Sequence, residues 1–123
     1  MKFVILIWSN PESRAIWDKI PPAERVVGLR DYATLNEDLA DSGEMVASSA
    51  LADPGRTKRV TAREGQVIVS DGPYPEVKEF LAGFYLVDCA TMDRAVEVAA
   101  RIPEAAYGLV EVRPTMDLSE FER

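Results

Sequence analysis

The sequence predicts an α+β fold, and three observations carry it. Residues 2–8 and 82–88 are short apolar runs with β-branched and aromatic members, the pattern of strands buried on both faces. Two longer stretches, opening at Pro21-Pro22 and at Thr91, repeat apolar residues every three or four positions, as helices with one buried face do. In chain order the elements run strand, helix, strand, hairpin, strand, helix, strand, which puts helices on one face of a mainly antiparallel sheet.

The strand at 2–8 ends at Ser9-Asn10-Pro11, where Asn10 can cap and Pro11 suits a first helical position. A short helix is expected over residues 11–18, with Ile16 and Trp17 turned inward. Pro21-Pro22 opens the longer helix, where the first N–H groups have no partner to lose, and Glu24 sits near its positive end. Leu29, Tyr32, Leu35 or Asn36, and Leu39 make its apolar stripe, and Gly43 stops it. Residues 44–51 read as a strand of small side chains that a helix or a ligand can approach, close packing being the plainer cause. Asp53-Pro54-Gly55 is a loop. Residues 57–62 and 66–70 form a hairpin turning near Glu64-Gly65, with Val67 and Val69 on one face and Ile68 and Ser70 on the other. After the strand at 82–88, Thr91 caps a helix whose buried stripe is Met92, Val96, Ala99 and Ile102, and Pro103 ends it. The last strand runs from Gly108 to Arg113, with Leu109, Glu111 and Arg113 on one face.

That order is of the ferredoxin-like type with an inserted hairpin, as one domain over residues 1–123. Its helices cover one sheet face, yet the strands at 2–8 and 82–88 are apolar on both. The second face needs a cover, so a homodimer with two sheets packed face to face is expected.

Composition narrows the function. The net charge of −7 disfavours nucleic acid, which needs clustered Lys and Arg, and an anionic membrane surface as well. The opening apolar run is too short for a membrane span and lacks the marks of a signal peptide. One cysteine, Cys89, allows no internal disulfide and suits the cytoplasm; a buried structural thiol is its plainer reading. Without histidine there is no Ser-His-Asp or Cys-His catalysis and no imidazole zinc site. Acid–base chemistry falls to Asp, Glu, Lys, Tyr or Arg. No phosphate-binding glycine loop is present, and no cofactor is expected.

Polar groups able to do chemistry crowd residues 69–88. Asp71-Gly72-Pro73 reads first as a turn, in which Asp closes a local hydrogen bond, Gly accepts a positive φ and Pro fixes the exit. Its functional reading makes Asp71 a general base at the rim of a cleft. Glu76, Lys78 and Glu79 are either a solvated charge cluster or a carboxylate and ammonium that remove a proton and stabilise an enolate. Asp71, Glu76 and Glu79 would also suit a hard cation, a weak signal in an acidic chain, and no metal is expected. Tyr74 and Tyr85 are core or interface residues, or acids in a site. Arg113 is exposed, paired with Glu111, or turned to an anionic ligand.

Residues 71–88 resemble the signature of the YCII-related superfamily, in the branch named for an Asp-Gly-Pro-Phe motif (DGPF). Here the motif reads Asp71-Gly72-Pro73-Tyr74, followed by Glu76, Lys78-Glu79 and Gly83-Phe84-Tyr85-Leu86, and the ending Val110-Glu111-Val112-Arg113-Pro114 is also similar to the family's. Tyr74 replaces the usual Phe, and the His-Asp pair proposed as catalytic in many relatives has no counterpart in a chain without histidine. The resemblance implies a dimeric ferredoxin-like α/β barrel with a cleft near the motif. Most members have no assigned activity; a few relatives act on small cyclic or chlorinated aromatic compounds, and others accompany extracytoplasmic-function sigma factors.

Two functional expectations follow. The first is a small-molecule enzyme of lyase or isomerase type, with Asp71, Glu76, Lys78 and Tyr85 catalytic and Tyr74, Glu79 and Arg113 at the ligand. The second is a non-catalytic ligand-binding or accessory module with a sigma-factor partner. A blander reading makes the motif a signature of fold and dimer alone. The substrate is open in each.

Overall fold

The computed structural model of the chain describes residues 1–72 and 78–122. Among these residues are strands β1 (Lys2–Ser9), β2 (Met45–Ala50), β3 (Lys58–Arg63), β4 (Gln66–Asp71), β5 (Phe80–Asp88) and β6 (Val110–Pro114). The α-helices are α1 (Pro11–Lys19), α2 (Pro22–Ser42) and α3 (Met92–Ala100). No described helix is long and apolar enough to cross a membrane.

Local chemistry sets the helix ends. Asn10 accepts a hydrogen bond from the Ser13 amide at 2.7 Å while the Ser13 hydroxyl accepts from the Asn10 amide at 3.1 Å, a reciprocal cap for α1. Thr91 Oγ1 accepts from the Arg94 amide at 3.1 Å and starts α3. Gly43 ends α2 at φ +78°, a left-handed conformation that favours glycine.

The main sheet has the order β2-β5-β1-β6, with every neighbouring pair antiparallel. It is open, and no closed barrel forms among the described residues. Hairpin β3–β4 stands apart as a two-stranded ribbon. All of β4 is exposed, so its alternation sorts two faces without burying either.

The register places Ile5 between Tyr85 and Val112 and lines up one apolar face. Phe3, Ile5 and Ile7 of β1 join Tyr85 and Val87 of β5 in the core. Leu35 and Leu39 of α2 cover them from the helical layer, together with Ala95, Val98 and Ala99 of α3. Alternation sends Val4, Leu6, Phe84 and Leu86 to the opposite face, where they are half-buried and outside the core.

Three sequence expectations shift. The buried stripe of α3 is Ala95, Val98 and Ala99, continued by Ile102, whereas Met92 and Val96 are 38% and 50% exposed. The helix turns its small alanines inward, which lets it lie close to β1 and β6. Leu109 is buried and precedes β6, so strand alternation does not link it to exposed Glu111 and Arg113; Val110 and Val112 pack on the core instead. Ile16 and Trp17 of α1, expected inward, are 50% and 42% exposed, because α1 lies over a cavity rather than over packed core.

Candidate functional site

The cavity has a volume of about 710 Å³ and lies between the helices and one end of the sheet. Its floor is the end of β1 at residues 7–9, the start of β5 at Ala82 and Gly83, and residues 48–50 of β2. Residues of α1 and of α2 as far as Asn36 form its roof, and the 3₁₀ turn Pro103–Tyr107 closes one side. Small side chains create the space. Close packing is the plainer sequence reading of Ser48, Ser49 and Ala50, but all three are exposed and line the cavity. Gly83 lies opposite Ala50, and a Cβ there would sit 2.8 Å from the Ser49 carbonyl oxygen, so only glycine lets β2 and β5 approach this closely.

Aromatic residues supply much of the wall. Both tryptophans, Trp8 and Trp17, line it, with Tyr32, Tyr85 and Tyr107. The β1 strand shifts register between Ile7 and Trp8, and the Trp8 amide donates to the Leu109 carbonyl at 2.8 Å. The Trp8 indole nitrogen is buried and has no acceptor among the described residues. Outside, the Arg25 guanidinium stacks 5.6 Å from the Trp17 ring centre, held by the Trp17 and Asp18 carbonyls.

Two hydrogen-bonded pairs bring polar chemistry into this apolar space. The Tyr32 hydroxyl donates to Glu104 Oε2, and the Tyr85 hydroxyl donates to Asn36 Oδ1. Tyr32 and Asn36 stand one helical turn apart on α2, so their tips lie on the same side. Burial pushes the Tyr32 phenol above its ordinary range, and the hydrogen bond and charge of Glu104 push it further. Burial and the same carboxylate raise Tyr85, against a smaller opposing effect of Asn36. Both phenols are therefore neutral at physiological pH, beside a carboxylate at the cavity wall. Neutral phenols can donate or accept hydrogen bonds, and the carboxylate can accept a proton.

Of the residues singled out in the sequence, Tyr85 lies in this cavity. Asp71 ends β4 with its side chain 86% exposed and forms an ion pair with Lys58 at 2.5 Å. Lys78, Glu79 and Arg113 are exposed and do not line the cavity. Glu76 and Tyr74 lie outside the described residues. Gly72 does not take the positive φ expected of it; its amide donates to the Thr57 carbonyl at 2.9 Å. A Cβ there would meet the Arg59 and Thr57 side chains at 2.9 and 3.0 Å, so a side chain at this position requires those two to shift.

The sequence pattern places Tyr32 and Asn36 on the helix stripe but not in a site. Two polar tips four residues apart on an inward face are the signal it offers. Glu104 offers none, because its partner lies 72 residues away.

The YCII-related domain family matches residues 1–119. A curated relative, an uncharacterised protein of Rhizobium meliloti (strain 1021), is 32% identical over 116 residues, which are 93% of this chain and 91% of the relative. The similarity thus spans the cavity-forming elements as well as the 71–88 signature, and the chain belongs to the YCII-related family.

Proposed function

We propose that the cavity between helices and sheet is a small-molecule site and that the protein is an enzyme of the proton-transfer type. Glu104 is the base, and Tyr32 and Tyr85 are neutral phenols that position it and the ligand. The observation that carries this reading is a carboxylate hydrogen-bonded by a neutral phenol in the wall of an aromatic cavity of about 710 Å³. Lyase or isomerase chemistry, which begins with loss of a proton from carbon, fits such a group. Of the signature residues, Tyr85 keeps a direct role in this proposal. Asp71, Lys78, Glu79 and Arg113, which stand away from the cavity, do not.

The test works with an unidentified substrate. Amines, phenols and carbonyl compounds are screened for changes in tryptophan fluorescence, since both tryptophans line the cavity. Ligands that bind are then followed in D₂O by proton NMR for enzyme-dependent exchange of a C–H. Exchange that Glu104→Gln abolishes and Asp71→Asn leaves intact supports the assignment. Exchange that survives Glu104→Gln, or fails with Asp71→Asn, returns the chemistry to the signature.

A second reading, a binding module without chemistry, draws on the pairing of Tyr32 with Glu104 and Tyr85 with Asn36, which satisfies these groups without a substrate. Binding with no exchange in any ligand would favour it. For the assembly we propose a homodimer of ferredoxin-like subunits. With the hairpin set aside, the order β2-β5-β1-β6 is that of a split βαβ sheet. The half-buried Val4, Leu6, Phe84 and Leu86 suit a second copy packed on the open face, which is what a two-chain barrel requires. A single buried thiol suits the cytoplasm.

A further inference from the structure

The chemical class of the ligand follows from what the cavity wall has left to offer. This inference rests on the small-molecule reading above and deepens it. Among the described lining residues there is no lysine or arginine, but there are two carboxylates, Glu24 and Glu104. A ligand carboxylate or phosphate would enter this space with no opposite charge to meet it and two like charges nearby, in a chain of net charge −7.

The hydrogen-bond inventory points the same way. The phenol protons of Tyr32 and Tyr85 are committed to Glu104 and Asn36. The hydroxyls of Ser13 and Ser49 donate to the carbonyls of Asn10 and Ala50, at 3.1 and 3.3 Å. The Trp8 indole N–H is buried and has no acceptor among the described residues. Neutral donors remain in the Asn36 amide and the hydroxyls of Ser48 and Tyr107, but no charged donor does; what the wall offers a charged group is the open valences of Glu104, the phenol oxygens and the faces of aromatic rings. Aromatic faces beside a carboxylate are the surroundings in which an organic cation is recognised.

We propose that the cavity takes a hydrophobic organic ammonium. Its N–H groups face Glu104 and the oxygens of Tyr32 and Tyr85, and its apolar body lies along Ile7, Leu29 and Leu109. Arg25 on the outer side of Trp17 shows one of these rings already holding a cation in the folded chain. Glu24 is exposed and lines the same cavity, where it adds negative potential for an approaching ammonium.

Three probes of one size decide the point: phenethylammonium, phenethyl alcohol and 3-phenylpropionate. Each is titrated into the wild-type protein at pH 7 and low salt, with tryptophan fluorescence and saturation-transfer NMR as readouts. The expected result is binding of the ammonium at least about tenfold tighter than either of the others. That preference should shrink with added salt and vanish in Glu104→Gln. Equal or tighter binding of the alcohol or the acid overturns the ammonium inference and leaves the small-molecule site standing. No response to any of the three overturns both. The comparison among probes uses the wild-type chain, so it holds even if Glu104→Gln does not fold, and Glu24→Gln then supplies the charge variant, with a smaller loss of preference.

Discussion

Tyr32 on α2 donates its phenol proton to Glu104 on the turn after α3, joining residues 72 positions apart at the cavity wall. The bond fastens the turn Pro103–Tyr107 to the helix layer and fixes the position of that carboxylate at the cavity wall. A double-mutant cycle on Tyr32→Phe and Glu104→Gln should therefore give a coupling of about 1–2 kcal/mol in urea unfolding. Additive single effects would show that the two side chains merely lie near each other.

Burial of two phenols predicts a loss of stability at alkaline pH. Tyr32 and Tyr85 both have phenols raised above the ordinary value of 10.0. In the unfolded chain they ionise near that value, while in the fold they keep their protons. Above the unfolded value the unfolded state thus holds fewer protons, and stability falls as pH rises toward the folded values. Unfolding free energy should be level through neutral pH and decline from the ordinary phenol range upward, with a shallower decline in Tyr32→Phe. Absorbance at 295 nm checks this directly, since these two phenols should ionise only as the protein unfolds. Early ionisation of both in the native state would contradict their enclosure.

Why the sequence pointed to the fold more clearly than to the site is visible in particular residues. Caps at Asn10 and Thr91, the stop at Gly43 and the two-faced apolar runs are local signals, set by neighbours within a few positions. The site is made by Tyr32, Asn36, Tyr85 and Glu104, which come together only through the packing of α2 against β5 and the turn after α3. Clustering in sequence favours Asp71, Lys78 and Glu79, yet all three are exposed, Asp71 at the end of the hairpin and the other two just before β5. The phase of α3 is hidden for a related reason. Its alanines carry little hydrophobic weight in a pattern, but their small size is what lets the helix approach the sheet.

Gly83 gives a sharp test of how the cavity floor is built. A Cβ there would stand 2.8 Å from the Ser49 carbonyl oxygen and 3.4 Å from Ala50 Cα, both in the backbone of β2. Neither can swing aside as a flexible side chain would. Gly83→Ala should cost about 1–3 kcal/mol by forcing β2 away from β5. It should also weaken binding of any cavity ligand, because residues 48–50 form the floor. A urea midpoint unchanged from wild type would mean that the edge strand yields freely.

At the far end of the sheet, Glu44 binds Arg94 through both carboxylate oxygens, at 2.8 and 3.0 Å, tying the first turn of α3 to the start of β2. The Arg94 hydrogen bonds lower the Glu44 carboxyl from 4.5 to about 2. A depressed carboxyl contributes stability above its unfolded value and loses it as pH falls through the folded one. Between about pH 4.5 and 2, wild type should lose about 1–2 kcal/mol that Glu44→Gln does not, a value reduced for the solvent that reaches Arg94. Parallel acid curves for the two proteins would remove Glu44 from the account. Burial, and then hydrogen bonding to Glu44, push the neighbouring Cys89 thiol up to about 11. Cys89 should resist a thiol reagent at neutral pH in the fold and react on unfolding.

The open sheet face carries the proposed dimer. Leu6 pairs with Phe84 in the β1–β5 register, and both side chains lie opposite the core with only partial cover. Four half-buried apolar residues in the middle of an antiparallel sheet match the inner face of two stacked sheets. A carboxylate at this position costs little in a monomer, where water reaches it, and far more between two sheets, where it would be buried without a partner. Phe84→Asp should therefore give a folded monomer, by light scattering and far-ultraviolet circular dichroism, under conditions where wild type scatters as a dimer. Leu6→Asp, on the adjacent strand, should do the same. Wild type that scatters as a monomer at micromolar concentration would remove the proposed interface. Dimers that persist in both variants would place it elsewhere, with the ribbon β3–β4 the next surface to probe, since Val60, Val67 and Val69 are 57–68% exposed there.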